Sequence, residues 1–410
     1  MKIKQVLEKI CCGVLAVLLM AGAVAMPGAK AEDTWDQYAA ADSVDVTIPD
    51  ILDVQAATNV NALSCAGAML VEAESGTVLF AKDQYVERPI ASVTKVMSML
   101  LVMEAMAQGK LTYETEVKVS AYAAGMGGSQ AYIEEGEIFT VHEMLKAVAV
   151  HSSNDVTVAL AEAVSGSELT FVEEMNQKVK DLGLEHTIFA DCTGLNDKDQ
   201  HSCAYDVAMI ARELVTKYPD IFNYTGIWQD TFRNGTFELV NTNKLVRYYA
   251  GCDGLKTGFT NAAGFNLVAT ANRNDMRIIS VVLGGTDSKT RFGESTALLD
   301  YGFATYIVKD GRGDLEWPIT LDVINGVKSE FQAEPQAGKI VMSKNEAKQV
   351  EYKVTVDEKV RAPIAKGQQV GKVDVVMGDV VLGTFPLVAT EDVEGITFWW
   401  ILIRLFREMV

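Results

Sequence analysis

The 410-residue chain is 49% hydrophobic and 22% charged, and carries a formal net charge of −19. This is a globular composition with ample core material, and the length suggests two or three domains. An acidic balance with no Lys/Arg-rich block and no basic–aromatic interleaving speaks against nucleic acid as a partner.

The first 31 residues differ from the rest. Lys2, Lys4 and Lys9 precede an almost uncharged apolar run from Ile10 to Met26, and Ala29-Lys30-Ala31 offers small residues at a cleavage site. This is the pattern of a secretory signal peptide over residues 1–31. Its removal takes away four Lys and one Glu and moves the charge to −22. Residues 32–62 are rich in Asp, Ala and Val with weak periodicity, and are expected to form a poorly ordered N-terminal segment. Export permits disulfides. Cys65, Cys192, Cys203 and Cys252 allow three pairings, with four buried free thiols as the alternative. No CxxC pair or Cys/His cluster points to a metal, and no cofactor is expected.

From Ala66 the pattern changes. Ala66 to Ala73 alternates as a strand, Glu74-Ser75-Gly76 reads as a turn, and Thr77 to Lys82 as a returning strand. Pro89 then precedes a long stretch from Val93 to Gln108, apolar on nearly all sides and closed by Gly109. Such a helix is buried. Residues 141–165, 168–183 and 204–217 read as further helix. Between Asp253 and Gly285 the texture is β, with Asn266 to Ala271 and Arg277 to Leu283 joined by a turn at residues 272–275. Glu294 to Phe303 returns to helix. Hairpin, helices and strands in this order fit an α/β (α+β) domain over residues 63–310, an antiparallel sheet flanked by helices.

After about Gly311, short alternating strands predict a small all-β domain over residues 311–393. Val350 to Val356 is one strand, and Lys372 to Met377 with Val380 to Thr384 form a hairpin. Residues 394–410 close the chain. Trp399 and Trp400 stand among Ile, Leu and Phe, while Arg404, Arg407 and Glu408 share a face. The fifteen residues from Ile396 reach about 22 Å as helix, short of a ~30 Å hydrocarbon core. The expectation is an amphipathic helix lying in a membrane surface, with Trp at the headgroups.

Three segments carry chemistry-bearing side chains. Ser92-Val93-Thr94-Lys95 opens the apolar helix. Residues three apart share a helix face, so Ser92 Oγ and Lys95 Nζ can meet. The helix start adds partial positive charge where an oxyanion develops, and a lysine made neutral by burial can take the serine proton. Alone, the pair is common, and a helix cap beside a surface Lys is the plainer reading. In Ser152-Ser153-Asn154-Asp155, a hydroxyl and an amide two residues apart can both face a cleft. Ser152 is placed to relay a proton between Lys95 and a leaving amine, and Asn154 to hold a substrate amide. An N-cap for the next helix is the alternative there. Lys256-Thr257-Gly258 falls on a strand. Gly258 lets a substrate backbone approach and pair as an added strand, and Lys256 and Thr257 suit an anionic group. The three together, in this order, point to acyl transfer through a serine nucleophile.

The chain resembles the low-molecular-mass penicillin-binding proteins that act as serine-type D-alanyl-D-alanine carboxypeptidases. The resemblance rests on Pro89-Ile90-Ala91-Ser92-Val93-Thr94-Lys95, Ser152-Ser153-Asn154-Asp155, Asn241-Thr242-Asn243-Lys244-Leu245, the run Asp253 to Thr260, and Ala263-Gly264-Phe265-Asn266-Leu267-Val268-Ala269. It runs from about Ala66 to the C-terminal helix. It implies a transpeptidase/β-lactamase-like fold and acylation of Ser92 by a peptidoglycan stem peptide ending in D-Ala-D-Ala. Release of D-Ala and hydrolysis of the ester would follow, and β-lactam antibiotics would acylate the same serine. It further implies that Arg291 binds the substrate carboxylate with Thr257 as its partner, and that the backbone amides of Ser92 and Phe259 form the oxyanion hole. The family usually has Gly where this chain has Ser153, which leaves two adjacent hydroxyls to choose between. Signal peptide and tail together place the expected enzyme on the outer face of a bacterial cytoplasmic membrane, beside the cell wall.

Three rival readings are weaker. A class A β-lactamase needs a Glu that activates the deacylating water, and Asp191-Cys192-Thr193 precedes Gly194-Leu195-Asn196 with no Glu in place. A non-catalytic peptidoglycan-binding scaffold has no need of an intact Ser92, Lys95 and Lys256. A histidine-based site near Ser152, using His142 or His151, lacks the nucleophile elbow.

Overall fold

The computed structural model describes residues 60–196, 198–357 and 359–408. The expected signal peptide lies outside the described residues, as does the 32–62 segment up to its last three residues, which form a 3-10 turn, Val60–Ala62.

A five-stranded antiparallel sheet organises the larger unit. Its strands are β1 (Gly67–Glu72), β2 (Val78–Lys82), β3 (Cys252–Thr260), β4 (Gly264–Arg273) and β5 (Met276–Gly285), in the spatial order β2-β1-β5-β4-β3. Both faces are covered. Met69, Val71, Ile279 and Val281 join a helical cluster that includes α1 (Lys95–Ala107), α2 (Asn154–Ser165) and α3 (Ala204–Lys217). Ala68, Leu70, Ile278 and Val282 face the opposite way, against α4 (Ser288–Thr305). Covering on both sides explains why β1 is buried at all six positions and reads as an apolar run closed by Glu72 rather than as the expected alternation. Buried positions run around nearly the whole of α1, as its apolar composition predicts.

The strands outrun their sequence signal at the β4–β5 hairpin. Asn272 pairs with Arg277 and Arg273 with Met276, so only Asn274 and Asp275 remain as the turn. Both have positive φ, 51° and 59°, as a two-residue turn matched to strand twist requires. Polar residues at the solvent end of a hairpin hide the pairing from a hydrophobic pattern.

The predicted helix over 141–165 is interrupted. Val141–Lys146 is α-helical and widens into a π turn at Ala147–His151. Ser152 then adopts φ 71° and ψ 28°, Ser153 is extended, and α2 starts at Asn154. A left-handed residue reverses the chain, and no hydrophobic pattern reports it.

Beyond α4, strand Tyr306–Asp310 pairs antiparallel with Lys339–Ser343, so the β module draws in residues that precede Gly311. The rest is a five-stranded sheet in the order Ile319–Asp322, Glu330–Pro335, Val380–Ala389, Gln369–Met377, Glu351–Val356, around a core containing Phe331, Val373, Val375 and Leu387. A last helix, α5 (Phe398–Glu408), leaves Phe398, Trp399 and Phe406 exposed. No helix among the described residues is long and apolar enough to cross a membrane.

Cys65, Cys192, Cys203 and Cys252 are free and buried, which decides the question the sequence left open. Burial pushes the thiols of Cys65, Cys203 and Cys252 up to about 12, so they are inert near neutral pH. Thiol titration of the chain without residues 1–31, in the absence of reductant, should count four thiols after denaturation and no rapidly reacting one before it. Fewer than four in denaturant would reveal a disulfide.

Candidate active site

Ser92 lies in a 3-10 turn, Ala91–Thr94, that leads directly into α1. Lys95 is therefore the first α-helical residue, one turn beyond the serine. The predicted contact forms: Lys95 Nζ is 3.0 Å from Ser92 Oγ. Ser92 is half-buried and reachable, whereas Lys95 is 0% exposed. The lysine amine has two further acceptors, Asn154 Oδ1 at 2.6 Å and the Thr193 carbonyl at 2.7 Å. An ammonium donates to all three. A neutral amine donates to Asn154 and Thr193 and turns its lone pair to the Ser92 hydroxyl. The site thus holds both protonation states without moving a heavy atom. Burial favours the neutral one and lowers Lys95 from 10.5 to about 8, opposed chiefly by the charge of Asp191.

Asn154 is committed to this arrangement. While Oδ1 accepts from Lys95, Nδ2 donates to the Gly127 carbonyl at 2.7 Å, leaving one amide hydrogen for a substrate. Asn154 thereby holds the lysine amine in place. Asp155 fixes the neighbouring loop by accepting from the backbone amides of Ala131 and Ile133.

Of the two adjacent hydroxyls, Ser153 is fully buried and 3.1 Å from His151 Nδ1. Ser152 Oγ is buried with no hydrogen-bond partner among the described residues. An orphan hydroxyl beside a cleft is available to a substrate. Histidine chemistry does not assemble: His142 Nδ1 meets Tyr224 OH at 2.9 Å, and burial lowers His151 to about 4.

β3 is the edge strand of the sheet and packs on the Ser92 turn. Lys256 is 0% exposed, and its Nζ reaches the Thr257 carbonyl at 3.0 Å. The Thr257 hydroxyl donates to Thr242 Oγ1 at 2.7 Å, which brings the Asn241-Thr242-Asn243 segment to the site. The structure gives a reason for Gly258 that the sequence did not show. A Cβ there would lie 2.7 Å from the Ile90 carbonyl oxygen and 2.9 Å from the Val93 nitrogen. The missing side chain makes room for the Ser92 turn.

Arg291 is 0% exposed, which excludes a surface arginine at a helix start. It is the fourth residue of α4, whose N-cap Asp287 accepts from the Thr290 amide at 2.7 Å. Nη1 lies 3.4 Å from the Gly258 carbonyl and 3.5 Å from that of Asn266, and the guanidinium sits over the rings of Phe265 and Phe292. Phe259 follows Gly258 on β3 and is stacked near Phe265 at 4.3 Å.

One contributor escaped the sequence reading. Residues 191–196 form a loop that presses on the Ser92 turn, and Gly194 (φ 93°) has no room for a Cβ, which would fall 2.0 Å from the Ala91 carbonyl oxygen. Ser98 Oγ on α1 donates to the Cys192 carbonyl at 2.6 Å, and Gln200 Nε2 donates to Thr94 Oγ1 at 3.0 Å. The turn-forming Asp191, Thr193, Gly194 and Asn196 mark a tight loop in the sequence, but nothing there says which turn it touches. Among the described residues no group of His, Cys, Asp and Glu is placed to hold a metal ion.

Comparison with known proteins agrees with this geometry. Residues 54–287 match the D-alanyl-D-alanine carboxypeptidase family, and residues 319–395 match the penicillin-binding protein 5 C-terminal domain. The chain is 39% identical to D-alanyl-D-alanine carboxypeptidase DacF of Bacillus subtilis, over 82% of this chain and 88% of that protein. It is 33% identical to DacC of Escherichia coli, over 80% and 83%. Among solved structures, penicillin binding protein 5 of Haemophilus influenzae superposes with a TM-score of 0.70 at 31% identity, covering 82% of this chain and all of that one. The chain belongs to the D-alanyl-D-alanine carboxypeptidase family and is a serine-type hydrolase of that class, with a penicillin-binding fold.

Proposed function

We propose that Ser92 is the nucleophile that removes the terminal D-alanine from peptidoglycan stem peptides, and that Lys95 is its base. The observation that carries this reading is the buried Lys95 amine, held by Asn154 and Thr193 with its third direction on Ser92 Oγ. Ser92 Oγ attacks the carbonyl of the penultimate D-alanine while its proton passes to Lys95. The backbone amides of Ser92 and Phe259 receive the oxyanion, and Arg291 with Thr257 binds the free carboxylate. When the intermediate collapses, the leaving amine takes the proton from Lys95, through the Ser152 hydroxyl. Water then hydrolyses the ester and restores Ser92. A β-lactam follows the first half of this course and remains as a Ser92 ester. Lys256 supplies positive charge beside the anionic ligand, and Asn154 keeps an N–H for a substrate carbonyl.

We also propose that the protein acts outside the cytoplasmic membrane with α5 resting on its surface. Exposed Phe398, Trp399, Ile403 and Phe406 support this, because an unpaired apolar helix face needs a covering.

A fluorescent penicillin should label the purified chain covalently, and Ser92→Ala should abolish the label; label that survives would overturn the assignment. Below pH 8 the base is mostly ammonium, about nine-tenths at pH 7, so the acylation rate should rise with pH and level off above pH 8. Arg291→Ala should lower kcat/KM for a D-Ala-D-Ala peptide by roughly 100-fold and penicillin acylation by much less. Equal losses would count against a carboxylate role. Sedimentation with anionic vesicles should carry down the full chain and not a chain ending at residue 395.

A further inference from the structure

We propose that Asp191 is the positioning residue of the general base: its carboxylate folds the 191–196 loop so that the Thr193 carbonyl meets Lys95, and its charge stabilises the ammonium formed when Ser92 is deprotonated. This deepens the assignment of Lys95 as base and rests on it.

The carboxylate is unusually busy. Asp191 Oδ1 accepts from the Thr193 amide at 2.6 Å, the Thr193 hydroxyl at 2.9 Å and the Gly194 amide at 2.5 Å. Oδ2 accepts from the Asn196 amide at 2.6 Å. Four donors converge on one side chain, and charge-assisted bonds of this kind are about twice as strong as neutral ones. They turn the Thr193, Gly194 and Asn196 backbone amides inward. With the Thr193 amide drawn to Asp191, the Thr193 carbonyl is left pointing at Lys95 Nζ, 2.7 Å away. Gly194 seats the loop on the Ala91 carbonyl, so the lysine acceptor and the nucleophile turn are held in one register.

The charge follows the same geometry. The groups facing Lys95 are Asp191 and Cys192 on the loop and Asp155 on α2. Burial keeps the Cys192 thiol protonated, and Asp155 already accepts from the Ala131, Ile133 and Val156 amides. Asp191 is the strongest of the three influences that favour the ammonium. A negative charge there makes Lys95 a stronger base. Acylation gains as the proton moves, because the attraction between the Asp191 charge and the ammonium is complete only after the transfer.

Two substitutions separate charge from shape. Asp191→Asn keeps an acceptor at Oδ1 and loses the charge; Asp191→Glu keeps the charge and moves the oxygens. Penicillin acylation of each is followed from pH 6 to 10, with thermal melts alongside. For Asp191→Asn the midpoint of the pH profile should fall by about one unit and the plateau rate by about ten-fold. For Asp191→Glu the midpoint should stay and the plateau should drop by a similar factor. A lowered melting temperature with an unchanged profile and plateau in Asp191→Asn would overturn the proposal. If that variant does not fold, Asp191→Glu decides: a native acylation rate would overturn it, and a slowed one at the native midpoint supports it. Lys95→Ala is the control on the underlying reading. If it still acylates at the native rate, Lys95 is not the base, and the fault lies there rather than with Asp191.

Discussion

A lysine with none of its surface in water must find every acceptor inside the fold, and Lys95 sets the terms for what surrounds it. Its three acceptors come from three separate parts of the chain: Ser92 on its own turn, Asn154 at the start of α2 and the Thr193 carbonyl in the 191–196 loop. An uncompensated buried charge costs several kcal/mol, so these parts are bound to one another through the amine. The same burial that demands partners also lowers the amine toward neutrality. Structural need and the proposed chemical use coincide in one side chain.

The break in the helix after His151 follows from this demand. Had residues 141–165 continued as one helix, Asn154 would not head a new helix beside Lys95. The left-handed Ser152 reverses the chain and leaves its hydroxyl buried without a partner among the described residues, a local cost borne next to Lys95's acceptor Asn154. β3 contributes differently. As an edge strand it keeps one side open, and its Lys256, Thr257 and Gly258 run beside the Ser92 turn. Arg291 reaches the same strand from α4, on the far side of the sheet, through the Gly258 carbonyl. The carboxylate-binding end and the acylating end of the proposed site therefore belong to opposite layers of the domain.

Much of this was legible in the sequence where function travels in side chains at short spacing. Ser92 and Lys95 are three apart on one turn, and the contact follows from helix geometry. The sheet and α1 were readable from alternation and from unbroken apolarity. Arg291 was found by resemblance alone, since nothing about its neighbours distinguishes a buried arginine from an exposed one at a helix start. Gly258 was read as opening a strand edge to substrate, and the turn that fills the space of its missing side chain was not foreseen. The Thr193 carbonyl was invisible. It is a backbone group 98 residues from Lys95, and a main-chain acceptor leaves no mark on the residue type.

The seats of Gly194 and Gly258 have a consequence for how such an enzyme changes over time. The Ser92 turn is clasped from both sides by main chain, with no slack for even one methyl group on either side. Sequence drift is barred from the clasp itself. Variation around Ser92 must then enter at positions outside these two glycines. The turn works as a fixed anvil, and the adaptable part of the molecule is whatever is brought down upon it.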